Sequence, residues 1–245
     1  MKGPFWIALQ FLSSLPVRLP GMPSPRETGR SLLYYPLVGL VLGVVLYGAN
    51  AVLSGAPLML HAALLLTVWV LFSGGLHLDG LADSADAWLG GFGDRERTLT
   101  IMKDPRSGPI AVVVLALVLL LKFCALLAVI EQQQFAALLI VPLIGRSALL
   151  AVFLTTPYVR AGGLGQALAD HLPRTAGWWV LGFSALGCVL VAGMSGVWSL
   201  VLGVIGFAWL RRIMMRRLGG TTGDTAGALL ELLEVGVLVG LALIG

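Results

Sequence analysis

Pro109-Ile110-Ala111-Val112-Val113-Val114-Leu115-Ala116-Leu117-Val118-Leu119-Leu120-Leu121 contains no charge, and Lys122 alone interrupts the apolar run before Glu131. At a rise of ~1.5 Å per residue, the stretch 108–130 spans the ~30 Å hydrocarbon core of a bilayer. A helix of this kind satisfies its own backbone hydrogen bonds, which lipid cannot do for it. The rest of the chain repeats the pattern. Of its 245 residues, 58% are hydrophobic and only 11% charged, where a soluble domain carries about a quarter charged residues. Soluble folding is excluded. The expected fold is all-α, a polytopic integral membrane bundle forming a single membrane-embedded domain over 1–245. Cys124 and Cys188 lie in apolar runs with no metal or redox spacing, and read as packing residues.

Working outward, the apolar stretches 31–53, 58–76, 135–156, 177–193, 196–210 and 224–244 join 108–130, for about seven transmembrane helices. Phe5 to Leu12 is too short for a span, is followed by Pro16 and Pro20 rather than a cleavage site, and reads as an N-terminal interfacial helix. The hairpins at Ser54-Gly55-Ala56-Pro57, Glu131-Gln132-Gln133-Gln134 and Gly193-Met194-Ser195-Gly196 contain no Lys or Arg. Apart from Lys122 and Arg146, every basic residue falls in the opposite set of segments. Positive charge is retained on the cytoplasmic side, so the N-terminus and long loops are expected there, in a cytoplasmic (inner) membrane, with the C-terminus outside.

Seven of the twelve acidic residues belong to, or lie near, two Gly-rich segments on that expected cytoplasmic face. The first is Gly74-Gly75-Leu76-His77-Leu78-Asp79-Gly80-Leu81-Ala82-Asp83-Ser84-Ala85-Asp86. Its acids are spaced i, i+4, i+7, which on a helix makes one stripe with neighbours ~6 Å apart. Such a stripe suits one or two hard cations, because Mg²⁺ prefers oxygen ligands and keeps open positions for phosphates; a solvated helix face is the plain alternative. His77, just before the stripe, is either a base or ligand, or an interfacial structural residue. The second segment runs from Gly219 to Glu234. Asp224 caps the last span or joins the acids, while Glu231, ~10 Å deeper on the same face, and Glu234 must face the bundle interior. A salt bridge to Lys122 or Arg146 is one way to hold either. Between the segments, Asp94 can cap a short helix. Lys103-Asp104-Pro105-Arg106-Ser107-Gly108 offers a phosphate clamp with Arg106 as a bidentate fork, or a simple membrane anchor. Arg211, Arg212, Arg216 and Arg217 suit anionic lipid heads. With no P-loop or dinucleotide fingerprint, the residue types point to metal-assisted phosphoryl or nucleotidyl transfer, an acidic residue activating an attacking hydroxyl.

Gly74 to Asp83, the run Ile101-Met102-Lys103-Asp104-Pro105-Arg106-Ser107-Gly108, Gly219-Gly220-Thr221-Thr222-Gly223-Asp224-Thr225, Phe5-Trp6, Leu15-Pro16-Val17 and Tyr35-Pro36-Leu37-Val38-Gly39 together resemble the cobalamin (5′-phosphate) synthase family, in order and along essentially the whole chain. The resemblance implies a membrane enzyme that joins adenosylcobinamide-GDP to α-ribazole or its 5′-phosphate. It would release GMP and complete the nucleotide loop of adenosylcobalamin or its phosphate, with Mg²⁺ as cofactor. On that basis Asp79, Asp83 and His77 are expected in catalysis. Asp79, Asp83, Asp86, Asp104 and Asp224 are the expected metal ligands, and Lys103, Arg106, Arg146, Thr221, Thr222 and Glu231 the phosphate or substrate contacts. Expected partners are the two substrates, the lipid bilayer, and a homo-oligomer or a complex with other late cobalamin-pathway enzymes, with no nucleic acid. A CDP-alcohol phosphotransferase making a lipid is the alternative enzyme, although Asp83 stands where its signature has Arg. An ion-coupled transporter is the alternative outside enzymes, although its site would sit at the midplane between inverted repeats.

Overall fold

The computed structural model describes residues 3–160, 162 and 164–244. Among them there are helices and no strands; a single parallel bridge pairs Tyr158 with Thr221. In order, the helices are α1 (Pro4–Leu12), α2 (Pro25–Ser31), α3 (Tyr35–Val52), α4 (Leu58–Ser73), α5 (Leu76–Gly90), α6 (Arg95–Ile101), α7 (Pro109–Glu131), α8 (Ala136–Thr155), α9 (Leu164–Asp170), α10 (Arg174–Leu218) and α11 (Gly223–Ile244). A short 3₁₀ turn, Leu32–Tyr34, leads into α3.

Five stretches are long and apolar enough to cross a bilayer alone: Pro25–Val52, α7, α8, α10 and α11; the bent pair α4–α5 makes a sixth at most. Counted by length and apolarity alone, the described residues give five or six spans where seven are expected, because α10 is counted once. Its 45 residues count once, yet Gly193 breaks the helix at φ 55°, ψ −127°. A Cβ placed on Gly196 would collide with the carbonyl of Cys188. Residues eight apart in a continuous helix stand ~12 Å apart, so the chain doubles back here. The expected hairpin at 193–196 is present inside what reads as one long helix.

The stretch expected to span 58–76 stops early. Gly74 and Gly75 both adopt left-handed backbone, φ 61° and 73°, a region glycine enters without steric cost. Two such residues in succession end α4 and turn α5 by 87°. That turn swings the acidic stripe away from the line of α4 and across the end of the bundle.

The centre of the bundle is α8, 83% buried over its apolar stretch, against 28% for α7 and 22% for α10. One large apolar cluster draws Leu12, Val38, Leu65, Leu126, Leu138, Leu168, Cys188 and Leu229 from eight different helices around it. The outward faces of α7 and α10 carry Val112, Leu117, Leu120, Trp178, Phe183, Leu190 and Trp209 in the open. Exposed aliphatic and aromatic surface on this scale is what contact with lipid requires. The N-terminal helix forms as expected, but Ala8 and Leu12 are fully buried, so α1 is packed into the bundle as well as amphipathic.

Among the described residues, four charged side chains lie deep inside. Lys122 Nζ stands 2.7 Å from both Glu231 Oε2 and Glu234 Oε2, and Arg146 pairs with the other Glu234 oxygen. Trp69 Nε1 donates to Glu234 at 3.1 Å, and the Lys122 ammonium lies 4.7 Å from the Trp69 ring centroid. The quartet is electrically neutral and binds α4, α7, α8 and α11 together. Both glutamates face the interior as expected, since an unpaired carboxylate in hydrocarbon is costly. The salt bridge anticipated for one of them holds both.

Candidate active site

The site is built where the beginnings of α5 and α11 cross. Gly80 sits against the backbone of Asp224; a Cβ at Gly80 would come within 2.8 Å of the Asp224 carbonyl oxygen. Only glycine allows this approach, and it brings the first acidic segment onto the second. The field at Asp83 is accordingly set by Asp79, Asp224 and Asp86, opposed by Arg160.

The start of α11 explains why Asp224 is available. Thr222, not Asp224, takes the capping position. The Thr225 amide donates to Thr222 Oγ1 at 3.2 Å, and the Thr222 amide donates to Thr225 Oγ1 at 2.8 Å. This reciprocal pair satisfies two amides left unpaired at a helix start. Asp224 is freed to bond Arg160, Nη1 to Oδ2 at 2.9 Å. Arg160 arrives by backbone pairing: the Val159 amide donates to the Thr221 carbonyl at 2.9 Å, and the Thr221 amide donates to the Pro157 carbonyl at 2.8 Å.

Around this crossing lies a cavity of about 460 Å³, lined by His77, Asp79, Arg160 and Asp224 and by the rings of Phe11, Tyr35, Phe153 and Tyr158, among others. His77 is 3% exposed, and neither ring nitrogen has a hydrogen-bond partner. Among the described residues, the carboxylates of Asp79 and Asp83 take no hydrogen bond or ion pair. Burial raises the Tyr158 hydroxyl above its usual range, with Arg160 opposing, so it stays protonated at neutral pH. The cavity therefore presents a free carboxylate, a paired cation and a phenol, with Asp83 one turn further along α5.

The other expected residues have different surroundings. Asp86 reaches from α5 to the start of α7, accepting from the amides of Gly108 and Ala111. It serves α7 as a cap, because Gly108 has no side chain to do so. Asp104, at the surface, is gripped by Arg106 through Nε at 3.0 Å and Nη2 at 2.8 Å. Those bonds, with one from the Arg106 amide, hold its carboxyl down at about 2. Asp86 and Asp104, expected as metal ligands, are thus engaged elsewhere, and Arg106, expected on phosphate, holds Asp104. Lys103 is exposed on the same loop, which Asp86 ties to the end of α5. Arg146 and Glu231 are locked into the buried quartet rather than the cavity, and Thr221 and Thr222 are fully buried, bonding within the cap. Among the described residues, no three His, Cys, Asp or Glu side chains close to metal-holding distance by themselves. Asp94 caps α6 as expected, accepting from the Arg97 amide at 2.6 Å.

Arg160 and Tyr158 escape sequence reasoning. Positions 157–176 read only as a loop with two positive charges, and nothing in Pro157-Tyr158-Val159-Arg160 indicates pairing with Thr221, more than sixty residues away. The available signal was a cation and an aromatic directly after a span, on the same expected face as the acids.

The profile of the family described as cobalamin-5-phosphate synthase matches residues 4–242. A Pseudomonas fluorescens protein named adenosylcobinamide-GDP ribazoletransferase is 77% identical over 240 residues, covering 98% of this chain and 99% of its own. Proteins of the same name from Pseudomonas syringae and Pseudomonas putida are 73% and 72% identical, with coverage of 98% of this chain in each case. No solved structure matches the chain. Neither the lipid phosphotransferase nor the transporter alternative accounts for a match of this length. The chain belongs to the cobalamin-5-phosphate synthase family.

Proposed function

We propose that this chain is an adenosylcobinamide-GDP ribazoletransferase acting at the cavity between α5 and α11. It moves the adenosylcobinamide-phosphate group from adenosylcobinamide-GDP onto a ribose hydroxyl of ribazole or ribazole 5′-phosphate. The new bond joins that oxygen to the phosphorus on the cobinamide side. The bond broken links this phosphorus to the bridging oxygen of the diphosphate, which leaves with GMP; the hydroxyl proton passes to a base. Because the 5′-phosphate survives in the product when the acceptor carries it, the attacking oxygen is not the 5′ one.

The observation that carries the assignment is the full-length family match combined with the crossing at Gly80, which gathers Asp79, Asp83, Asp224, Arg160 and His77. Asp79, whose uncommitted carboxylate lines the cavity, is placed to accept the hydroxyl proton, with His77 beside it in the lining. Among the described residues, Arg160 is the one Lys or Arg lining the cavity, and it is suited to the charge gathering on the transferring phosphoryl oxygens. Asp224 holds its guanidinium in place.

The donor set also fits a hard divalent cation. Asp79 and Asp83 offer uncommitted carboxylates, and Asp224 adds a third beside them. Their failure to close a shell alone matches the habit of Mg²⁺, which completes its coordination with water and substrate phosphates. Bound there, Mg²⁺ would offset diphosphate charge and ease departure of GMP. The basic loops, confined to one face, support placing this site on the cytoplasmic side of the inner membrane.

Product analysis tests the reading. Purified protein in liposomes, given both substrates and Mg²⁺, should form adenosylcobalamin, or its phosphate, and GMP in equal amounts. Corrinoid product without ribazole incorporation, or none from folded protein, would reject it.

A further inference from the structure

The cavity combines flat aromatic rings with charged side chains, and this combination identifies what enters it. Its lining includes His77, Asp79, Asp224 and Arg160. The remaining wall includes two stacked aromatic pairs: Phe11 with Tyr35, centroids 6.3 Å apart at 24°, and Phe153 with Tyr158, 5.9 Å apart at 18°. These come from α1, the start of α3, the end of α8 and the segment after it, so four separate parts of the chain supply flat rings to one small space. His77 belongs to the lining as well, but both its ring nitrogens are closed off from the cavity.

We propose that this cavity is the acceptor subsite, taking the nucleoside ribazole with its fused aromatic base among Phe11, Tyr35, Phe153 and Tyr158 and its ribose toward Asp79. The inference rests on the transferase reading and deepens it by assigning the cavity to one of the two substrates. Size decides between them. A volume of about 460 Å³ lies in the ordinary range of small-molecule sites, ~300–1,000 Å³, and encloses a nucleoside. The donor carries a corrin macrocycle, an adenosyl group and guanosine diphosphate, and the cavity cannot enclose it. The donor instead presents its diphosphate from outside, across Asp79, Asp83 and Arg160. Chemistry agrees with size: flat aromatic walls suit a base with a π-face, and an uncommitted carboxylate accepts from a ribose hydroxyl. The arrangement also keeps the reacting hydroxyl beside the uncommitted carboxylate of Asp79.

The test is equilibrium binding of ribazole, without donor, to the full chain in lipid nanodiscs, followed by Michaelis constants for both substrates. Wild-type protein should bind one ribazole per chain. Tyr158→Leu, which keeps an apolar side chain but removes the ring, should weaken ribazole binding about tenfold, within the roughly five- to 150-fold span typical of base stacking. Tyr158→Phe should restore it. In turnover, Tyr158→Leu and Phe153→Leu should raise KM for ribazole and leave KM for adenosylcobinamide-GDP unchanged. The assignment is overturned if wild-type protein does not bind ribazole, if Tyr158→Leu binds it as wild type does, or if the donor KM rises in place of the acceptor KM. Ribazole binding that is sensitive to Tyr158, in a protein that never releases GMP, would uphold the subsite and reject the transferase. Normal GMP release with unaltered ribazole KM in both leucine variants would do the reverse.

Discussion

Lys122→Met removes one member of the buried quartet and leaves Glu231, Glu234 and Arg146 with a net negative charge inside the bundle. Lys122 is 2% exposed and makes two ion pairs of 2.7 Å, so neither glutamate gains water in exchange. Removing one partner of a buried pair costs about 3–5 kcal/mol. For a chain of this size each kcal/mol moves the midpoint of thermal unfolding by ~2–4 °C, so the expected fall is about 6–20 °C. The double variant Lys122→Met/Glu231→Gln returns the cluster to neutrality, leaving Arg146 paired with Glu234, and should recover most of the loss. The assay is thermal unfolding in detergent followed by tryptophan fluorescence, to which Trp69, lying against Lys122, contributes directly. If the double variant is no more stable than Lys122→Met, the loss comes from altered packing and the charge-balance reasoning is refuted.

Arg160→Gln, which keeps a hydrogen-bond donor and removes the charge, should lower kcat/KM for GMP release by about 10²-fold while leaving thermal stability near wild type; a rate within a factor of two of wild type would exclude Arg160 from the reaction. Asp86→Ala should destabilise the protein by about 1–2 kcal/mol through loss of the α7 cap, with Asp86→Asn intermediate, measured by thermal unfolding. Gly193→Ala should cost about 1–3 kcal/mol, because an L side chain is strained at φ 55°, ψ −127°, again read as a lowered unfolding midpoint. Asp104→Asn tests the sign of a pH effect. The Asp104 carboxyl is held at about 2, below the ordinary ~3.9, so its contribution is present above pH ~4 and lost only as pH falls toward 2. The stability difference between Asp104→Asn and wild type should therefore be constant from pH 5 to 9.

What could be read from the residues follows from range. The apolar run at 108–130, the hairpin at Gly193-Met194-Ser195-Gly196 and the helical stripe of Asp79, Asp83 and Asp86 depend on neighbours within a few turns. Composition and periodicity report such neighbours well. The inward facing of Glu231 and Glu234 was equally legible, because hydrocarbon leaves a carboxylate no other place. Assignments that required knowing what a side chain meets across the bundle did not follow. Asp86 and Asp79 look alike in the stripe, yet one reaches the bare start of α7 and the other opens into the cavity. Thr222 takes the cap for which Asp224 seemed suited, and that exchange frees Asp224 for Arg160. Arg146, a plausible phosphate ligand by its isolation in an apolar run, is held by Glu234. The 87° turn at Gly74-Gly75 decides much of this, since the direction of α5 after two left-handed residues depends on what α5 packs against.

The most direct measurement is GMP release from adenosylcobinamide-GDP by the protein in liposomes, with Asp79→Asn and Asp224→Asn compared with wild type at equal folded amounts. The wild type should release GMP only when ribazole and Mg²⁺ are both present, and both variants should lose about 10²-fold or more in rate while keeping the wild-type unfolding midpoint within a few degrees. Wild-type rates in either variant would show that the transfer does not take place at the crossing of α5 and α11.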